Sequence, residues 1–254
     1  MTKMLFSGDW HQDAVTAGVP RFDEIEQHAK LVREVIVEEK IDIFTHLGDL
    51  HDPGSLLESL YSAMLIRTAS NIRRSRDGVR QVWIPGNHDV VEIGSADPVT
   101  TLSPMREAAF AGAFGGSVLV NEDPSFDVVS GVGILSLPYV ARSRIGESAW
   151  FLDQAFDGAA KNRAGHQLAL VVVGHQTVPG ATLGSESAEM ARGGDRDFPF
   201  ERVAALKPSA VVNGHYHTRQ VVRACGLEIH FPGSPEAFTF GEITEARGCL
   251  IVEV

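Results

Sequence analysis

The chain has 254 residues, 44% of them apolar and 22% charged, and a formal net charge of −11 at neutral pH. These are the fractions of an ordinary globular protein, one large domain or two small ones, and no apolar run approaches the roughly 20 residues that cross a bilayer. The acidity counts against nonspecific binding of a polyanion, which draws on a basic face. Two cysteines, Cys225 and Cys249, are too few for a disulfide framework; they fit a reducing cytoplasm and are expected as small buried residues. Met1-Thr2-Lys3 leads straight into a strand-like run with no signal-peptide pattern, so a cytoplasmic location is expected.

In chain order, residues 3–7 read as a strand followed by a loop with Asp9 and His11. Asp23 with Glu26 three places on reads as the capped start of a helix whose core face is Ile25, Ala29, Val32 and Ile36. A second strand, about 41–47, ends at Asp49, and Ser55-Leu56-Leu57-Glu58 is a capping box for a helix running to about Arg74. The basic cluster Arg73-Arg74-Ser75-Arg76 is read as a solvated helix end, with a nucleic-acid contact as the alternative. A third strand, 80–85, leads into Gly86-Asn87-His88-Asp89. A short helix around Met105–Ala113 follows, then strands at 117–120, 126–129 and 132–137, a helix at 148–163 and a very apolar strand at 167–173. Pro179–Asp197 has no clean period and is either a lid or a flexible loop. A helix near Phe200–Leu206, a strand at 209–213, a hairpin of Gln220–Ala224 with Glu228–Phe231, and a strand at 248–254 complete the chain. Alternating strand and helix in the first half predicts parallel pairing, and the later hairpins predict antiparallel pairing. No linker-like stretch interrupts the chain, so one domain over 1–254 is expected.

Five apolar runs end at a Gly that is followed at once by Asp, Asn or His: Gly8-Asp9, Gly48-Asp49, Gly86-Asn87, Gly174-His175 and Gly214-His215. One histidine after a strand is ordinary; five such endings in one chain are not. Ligand sites of α/β sheets lie beyond the carboxyl ends of the strands, where all five fall. Asp9, His11, Asp49, Asn87, His175, His215 and His217 offer carboxylate, amide and imidazole ligands without a thiolate, a mix that suits Mn, Fe, Zn or Mg. Seven ligands exceed one tetrahedral ion and suit two ions sharing a carboxylate. Ions roughly 3.5–4 Å apart clamp the attacking and leaving oxygens of displacement at phosphorus and supply hydroxide near neutral pH. His88, beside a ligand but not needed as one, is the candidate to stabilise transition-state charge or to protonate the leaving oxygen. Tyr139, Arg142 and Arg144 are read as a solvated loop, with a substrate phosphate as the alternative contact, and His28, His46, His51, His166 and His230 as structural.

Asp9-x-His11, Gly48-Asp49-x-x-Asp52, Gly86-Asn87-His88-Asp89, Gly174-His175 and Gly214-His215-x-His217, in this order, resemble the signature of the calcineurin-like metallophosphoesterases. The resemblance implies an α/β fold: a four-layer αββα sandwich of two mixed sheets flanked by helices, with a dinuclear metal site. It places Asp9, His11, Asp49 and His217 on one metal and Asp49, Asn87, His175 and His215 on the other, with Asp49 bridging. Mn²⁺ is the foremost metal. His88 becomes the catalytic histidine and Asp52 a residue that orients its neighbours.

Within that superfamily, Gly48–Ser55 and Phe231–Glu242 resemble the corresponding segments of SbcD-type DNA-repair nucleases. The Gly233-Ser234 turn would offer N–H and hydroxyl groups to a phosphate, or be a plain tight turn. The chain stops near the end of the nuclease core, so no cap or partner-binding tail of those nucleases is expected. The resemblance implies cleavage of DNA. The alternatives are hydrolysis of cyclic nucleotides or other small phosphodiesters, and an inactive metal-binding scaffold for a partner ATPase of the SbcC kind.

Overall fold

In the computed structural model the strands are β1 (Lys3–Ser7), β2 (Val15–Thr16), β3 (Val19–Pro20), β4 (Ile43–His46), β5 (Arg80–Trp83), β6 (Val90–Val91), β7 (Val99–Thr100), β8 (Val118–Val120), β9 (Ser125–Val129), β10 (Val132–Leu137), β11 (Leu170–Gly174), β12 (Ala210–Asn213), β13 (Gln220–Ala224), β14 (Leu227–Phe231) and β15 (Leu250–Glu253). Among the described residues the α-helices are α1 (Phe22–Glu38), α2 (Ser59–Ser75), α3 (Ser103–Phe110), α4 (Ile145–His166) and α5 (Phe200–Leu206). The residues described are 1–52, 59–91, 98–166, 168–182, 197–239, 242–243 and 246–254, with the side chains of 59–61 and 166 set aside. The expected capping box at Ser55–Glu58, most of the Pro179–Asp197 loop and the ring of His166 lie outside them.

Among the described residues two larger sheets form, ordered β15-β1-β4-β5-β8 and β13-β14-β12-β11-β10-β9. In the first, β1, β4, β5 and β8 are parallel and β15 is antiparallel to β1. In the second, β10, β11, β12 and β14 are parallel, with β9 and β13 antiparallel at the edges. Side chains alternate across a strand, and that period sorts the apolar residues into layers. Leu5, Phe44 and Trp83 pack with Ile25, Val32 and Ile36 of α1 and Leu65 and Ile72 of α2. Met4, Phe6, Ile43 and Val82 point the other way and meet Ile134, Val171, Val173 and Val212 of the second sheet. Leu135, Leu137 and Val172 on the far face of that sheet lie under Phe156 of α4 and Val203 of α5. The result is the expected four-layer αββα sandwich. Strands buried on both faces explain why these segments read as continuous apolar runs.

Several boundaries differ from the sequence reading. Phe22, not Asp23, opens α1; Arg21 stands at the cap without a side-chain cap bond, and Asp23 and Glu24 face the positive end of the helix dipole in the first turn. α3 begins at Ser103, with Pro104 in its first turn, where a missing N–H costs nothing. α4 reaches from Ile145 to His166, and β11 starts only at Leu170. The β13–β14 turn is Cys225-Gly226, both left-handed at φ 51° and 77°, the two-residue turn that matches strand twist. Cys225 is therefore exposed, against expectation, and Cys249 is half-buried. The β2–β3 hairpin about Ala17-Gly18 and the β6–β7 ribbon were not anticipated. Among the described residues no helix is long and apolar enough to cross a membrane.

His28 on α1 is buried, with Nε2 3.0 Å from Ser7 Oγ, which also accepts from Trp10 Nε1 at 2.8 Å. Burial lowers its pKa to about 4. A histidine kept neutral in the fold stabilises nothing above its unfolded value near 6.5 and costs stability as pH falls from there toward about 4, because the unfolded chain takes up the proton first. The expected loss is on the order of 3 kcal/mol by pH 4. Urea denaturation of metal-free protein between pH 7 and 4 should show it, and His28→Asn should show a shallower acid slope.

Candidate metal centre

The site lies where the two sheets touch at the carboxyl ends of their parallel strands. β1 delivers Asp9 and His11, β4 delivers Asp49 and Asp52, β5 delivers Asn87 and His88, β11 delivers His175, and β12 delivers His215 and His217. Backbone bonds lace the first set together: Asp9 N–H donates to Gly48 O at 2.8 Å and His11 N–H to Asp49 O at 3.0 Å. Across the sheets, His175 Nδ1 lies 2.6 Å from Leu47 O, and His215 N–H donates to Asp9 Oδ1 at 2.9 Å. Asp9, His11, Asp49 and His215 all hold left-handed backbone, at φ 54°, 44°, 51° and 77°. That conformation costs a non-glycine residue free energy and concentrates at functional sites.

The glycines of the motifs answer to crowding. A Cβ on Gly86 would overlap Asp49 Oδ1 and His175 Cε1, and one on Gly48, at φ 96°, would overlap His175 Nδ1. Gly86→Ala is thus expected to cost about 1–3 kcal/mol and to weaken metal binding, as read by thermal melting and metal titration. Gly146→Ala, where nothing lies within 4 Å of the added methyl, should leave both unchanged.

Among the described residues three groups of ligand atoms converge within 4.8 Å: Asp9, His11 and His217; Asp49, His175 and His215; and His11, Asp52 and His88. Asp49 Oδ2 lies 3.2 Å from His175 Nε2 and 3.9 Å from His11 Nε2, so it faces both of the first two groups. Asn87 Oδ1 joins the second, 3.1 Å from His175 Nε2 and 2.9 Å from His215 Nδ1. Asp52 Oδ1 sits 3.2 Å from the Nδ1 of both His11 and His88. Every residue singled out from the sequence for this site is therefore brought into it.

The donor set fits cations. Leu47 O can only accept, so His175 donates Nδ1–H to it and turns Nε2 toward the Asp49 carboxylate and the Asn87 oxygen, the place where a cation, or in its absence a second proton, sits between them. Asp52 sets His11 the same way, and His11 Nε2 then faces His217 Nε2 at 3.1 Å. Carboxylate, amide and imidazole ligand atoms crowd together, and among the described residues no Lys or Arg pairs with Asp9 or Asp49. Burial opposes ionisation of Asp49, but His175, His88 and His11 hold its pKa well below the ordinary carboxylate value. Burial likewise opposes ionisation of Asp52, and hydrogen bonds from His11 and His88 depress its pKa. Burial alone would lower His175; the Asp49 and Asp9 charges instead raise it to about 9. Burial, reinforced by His175, lowers His215 to about 3. Burial also lifts Asp9, against the pull of His175 and His217.

Asp89, part of the Gly86–Asp89 motif but given no role from sequence, is fully buried and accepts from Gly86 N–H at 2.9 Å, Leu50 N–H at 3.0 Å, His51 N–H at 3.2 Å and Thr101 Oγ at 3.0 Å. It ties the loops after β4 and β5 into one piece. The only sequence signal was a carboxylate directly after His88. Ser234 is buried and spent internally: its N–H donates to His217 O at 3.1 Å and its hydroxyl to Glu236 O at 2.7 Å. The plain-turn reading of Gly233-Ser234 is the one that fits. His46 stacks on Trp83 at 4.9 Å, as a structural residue would. Arg144 is engaged by Asp123, and Arg142 is exposed. Arg73, Arg74 and Arg76 lie at the end of α2 just before β5 begins, at the strand ends opposite the site, and Arg76 pairs with Asp42 at 3.2 Å.

The family profile described as calcineurin-like phosphoesterase matches residues 2–219. The SbcD component of the nuclease SbcCD from Bacillus subtilis (strain 168) is 24% identical over 267 aligned positions, covering 99% of this chain and 66% of the relative. The chain thus spans just under two thirds of that protein's length. Solved structures align at low identity, three of them as follows. GAP50, the anchor in the inner membrane complex of Plasmodium, is 10% identical over 98% of this chain and 80% of its own, with a TM-score of 0.48. A novel archaeal phosphodiesterase is 12% identical over 99% and 93%, with a TM-score of 0.47. The phosphopantetheinyl hydrolase PptH of Mycobacterium tuberculosis is 12% identical over 92% and 90%, with a TM-score of 0.48.

Proposed function

Because the chain belongs to the calcineurin-like phosphoesterase family, hydrolases of phosphoester bonds, we propose that it is a phosphodiesterase that works with two divalent ions and takes DNA as its substrate. Residues 1–254 would act as one catalytic domain. The observation that carries this reading is the convergence of ligand atoms from both sheets on Asp49. Asp9, His11, Asp49 and His217 would hold one ion, and Asp49, Asn87, His175 and His215 the other. Mn²⁺ is the foremost choice, with Fe, Zn or Mg as alternatives. When bound, such ions supply a water that ionises near neutral pH and offset the charge on phosphoryl oxygens.

The chain's own residues do the rest. Asp49 Oδ1 accepts the backbone N–H of His88 at 2.9 Å, fixing that residue against the ligand set. The Asp52 carboxylate beside His88 Nδ1 favours a proton there and stabilises the imidazolium. His88 Nε2 is then the atom that holds a proton for the leaving oxygen. Asp89 keeps the loops of Asp49 and His88 in register.

The nuclease substrate is supported by the likeness to SbcD across nearly the whole chain. That relative is one component of a nuclease, and an ATPase of the SbcC kind is proposed as a partner here on the same ground. A net charge of −11 and the internal engagement of Ser234 favour a second reading, hydrolysis of cyclic nucleotides or other small phosphodiesters.

Metal-stripped protein reloaded with Mn²⁺ should be assayed on linear single- and double-stranded DNA and on cyclic nucleotides, with Asp49→Asn as the blank. DNA cleavage absent from the blank supports the nuclease. Turnover of small diesters alone selects the second reading, and no turnover with metals bound leaves a scaffold.

A further inference from the structure

Two residues after β14, Phe238 and Glu242, lie against the histidines of one half of the metal centre. The Phe238 ring packs edge-on against His11, with centroids 5.1 Å apart, and against His217 at 5.5 Å. Glu242, 2% exposed, places Oε1 3.5 Å from His217 Nδ1. Its other oxygen accepts the Phe238 N–H at 3.0 Å, and its own N–H donates to Thr239 O at 3.1 Å. Arg247 locks the turn from outside, donating to Glu242 O at 2.6 Å, Ser234 Oγ at 2.6 Å and Glu236 O at 2.5 Å. His217 Nε2, on the opposite edge of the ring, faces His11 Nε2.

A carboxylate beside Nδ1 favours the tautomer with its proton there, which leaves the Nε2 lone pair for a metal and raises its basicity. Asp52 stands in the same relation to His11. We infer that Glu242 is a positioning residue for His217: held by Arg247 and the Phe238 backbone, it fixes the ring and tautomer that let Asp9, His11 and His217 take their ion. Phe238 bars the ring from rotating away. This rests on the two-ion reading above and gives Phe238 and Glu242 a task at the metal rather than at the substrate phosphate.

The test is Mn²⁺ binding to metal-stripped wild type, Glu242→Gln and Arg247→Lys by calorimetry, with circular dichroism to verify folding. Wild type should bind two ions. Glu242→Gln, near in size, should keep one step unchanged and weaken the other about 10–100-fold. Its kcat should return at saturating Mn²⁺, because a positioning defect is overcome by mass action. Arg247→Lys, which loosens the carboxylate without removing it, should weaken the same step by less. Two unaltered steps in folded Glu242→Gln, or in folded Arg247→Lys if the first variant does not fold, would overturn the inference and leave the two-ion reading intact. Fewer than two ions in wild type would overturn both.

Discussion

Asp49→Asn is expected to lower kcat by at least about a thousandfold, because it removes the carboxylate facing both halves of the centre. Asp49 is 2% exposed, one oxygen taken by the His88 N–H and the other turned to His175 and His11. Asparagine preserves the volume but cannot preserve the charge, and its NH₂ must point at either a donor or the ligand face. Metal content should fall from two ions to one or none. His175, held at about 9 chiefly by the Asp49 charge against burial, should titrate lower in the metal-free variant, which proton NMR of the imidazole would read. Elemental analysis and initial rates on the same preparation decide the matter. A variant with two ions and a rate within tenfold of wild type would remove Asp49 from its proposed place.

The second large effect separates chemistry from metal binding. His88→Ala should lower kcat by about 10²–10⁴-fold, the usual range for a general acid or base, while both ions stay bound and KM changes little. His88 meets the ligand set through its backbone N–H on Asp49, which alanine keeps, and through its ring against Asp52 and His11, whose loss takes no proposed ligand from the ions. Arg142→Ala, an exposed residue on the turn after β10, should leave kcat unchanged. Equal rates for His88→Ala and wild type would assign proton transfer elsewhere; loss of an ion in His88→Ala would make it a structural support of the centre.

Much of this site was legible in the chain because its ligands sit at strand ends, where Gly-Asp, Gly-Asn and Gly-His follow apolar runs that bury on both faces. The glycines were visible as letters; that Gly86 is there to admit Asp49 and His175 became visible only when the sheets met. Asp89 and Glu242 lay within motifs read from the sequence, but what they contact stayed hidden for a different reason. Asp89 accepts from Leu50 N–H and Glu242 faces the His217 ring, both from distant segments, and nothing in local periodicity records such partners. The misplaced start of α1 shows the limit of capping patterns, since Asp23 serves the helix dipole from the first turn rather than from the cap. The hairpin at Ala17-Gly18 lacks the alternating apolar flanks that announce one, being exposed on both strands.

The central claim is that phosphodiester hydrolysis needs two ions held across Asp49. Mn²⁺ titrated into metal-stripped protein, with the rate on a phosphodiester followed at each addition, tests it most directly. The rate should stay near zero through the first equivalent and rise with the second. Full activity at one equivalent, or activity in the stripped protein, would contradict it.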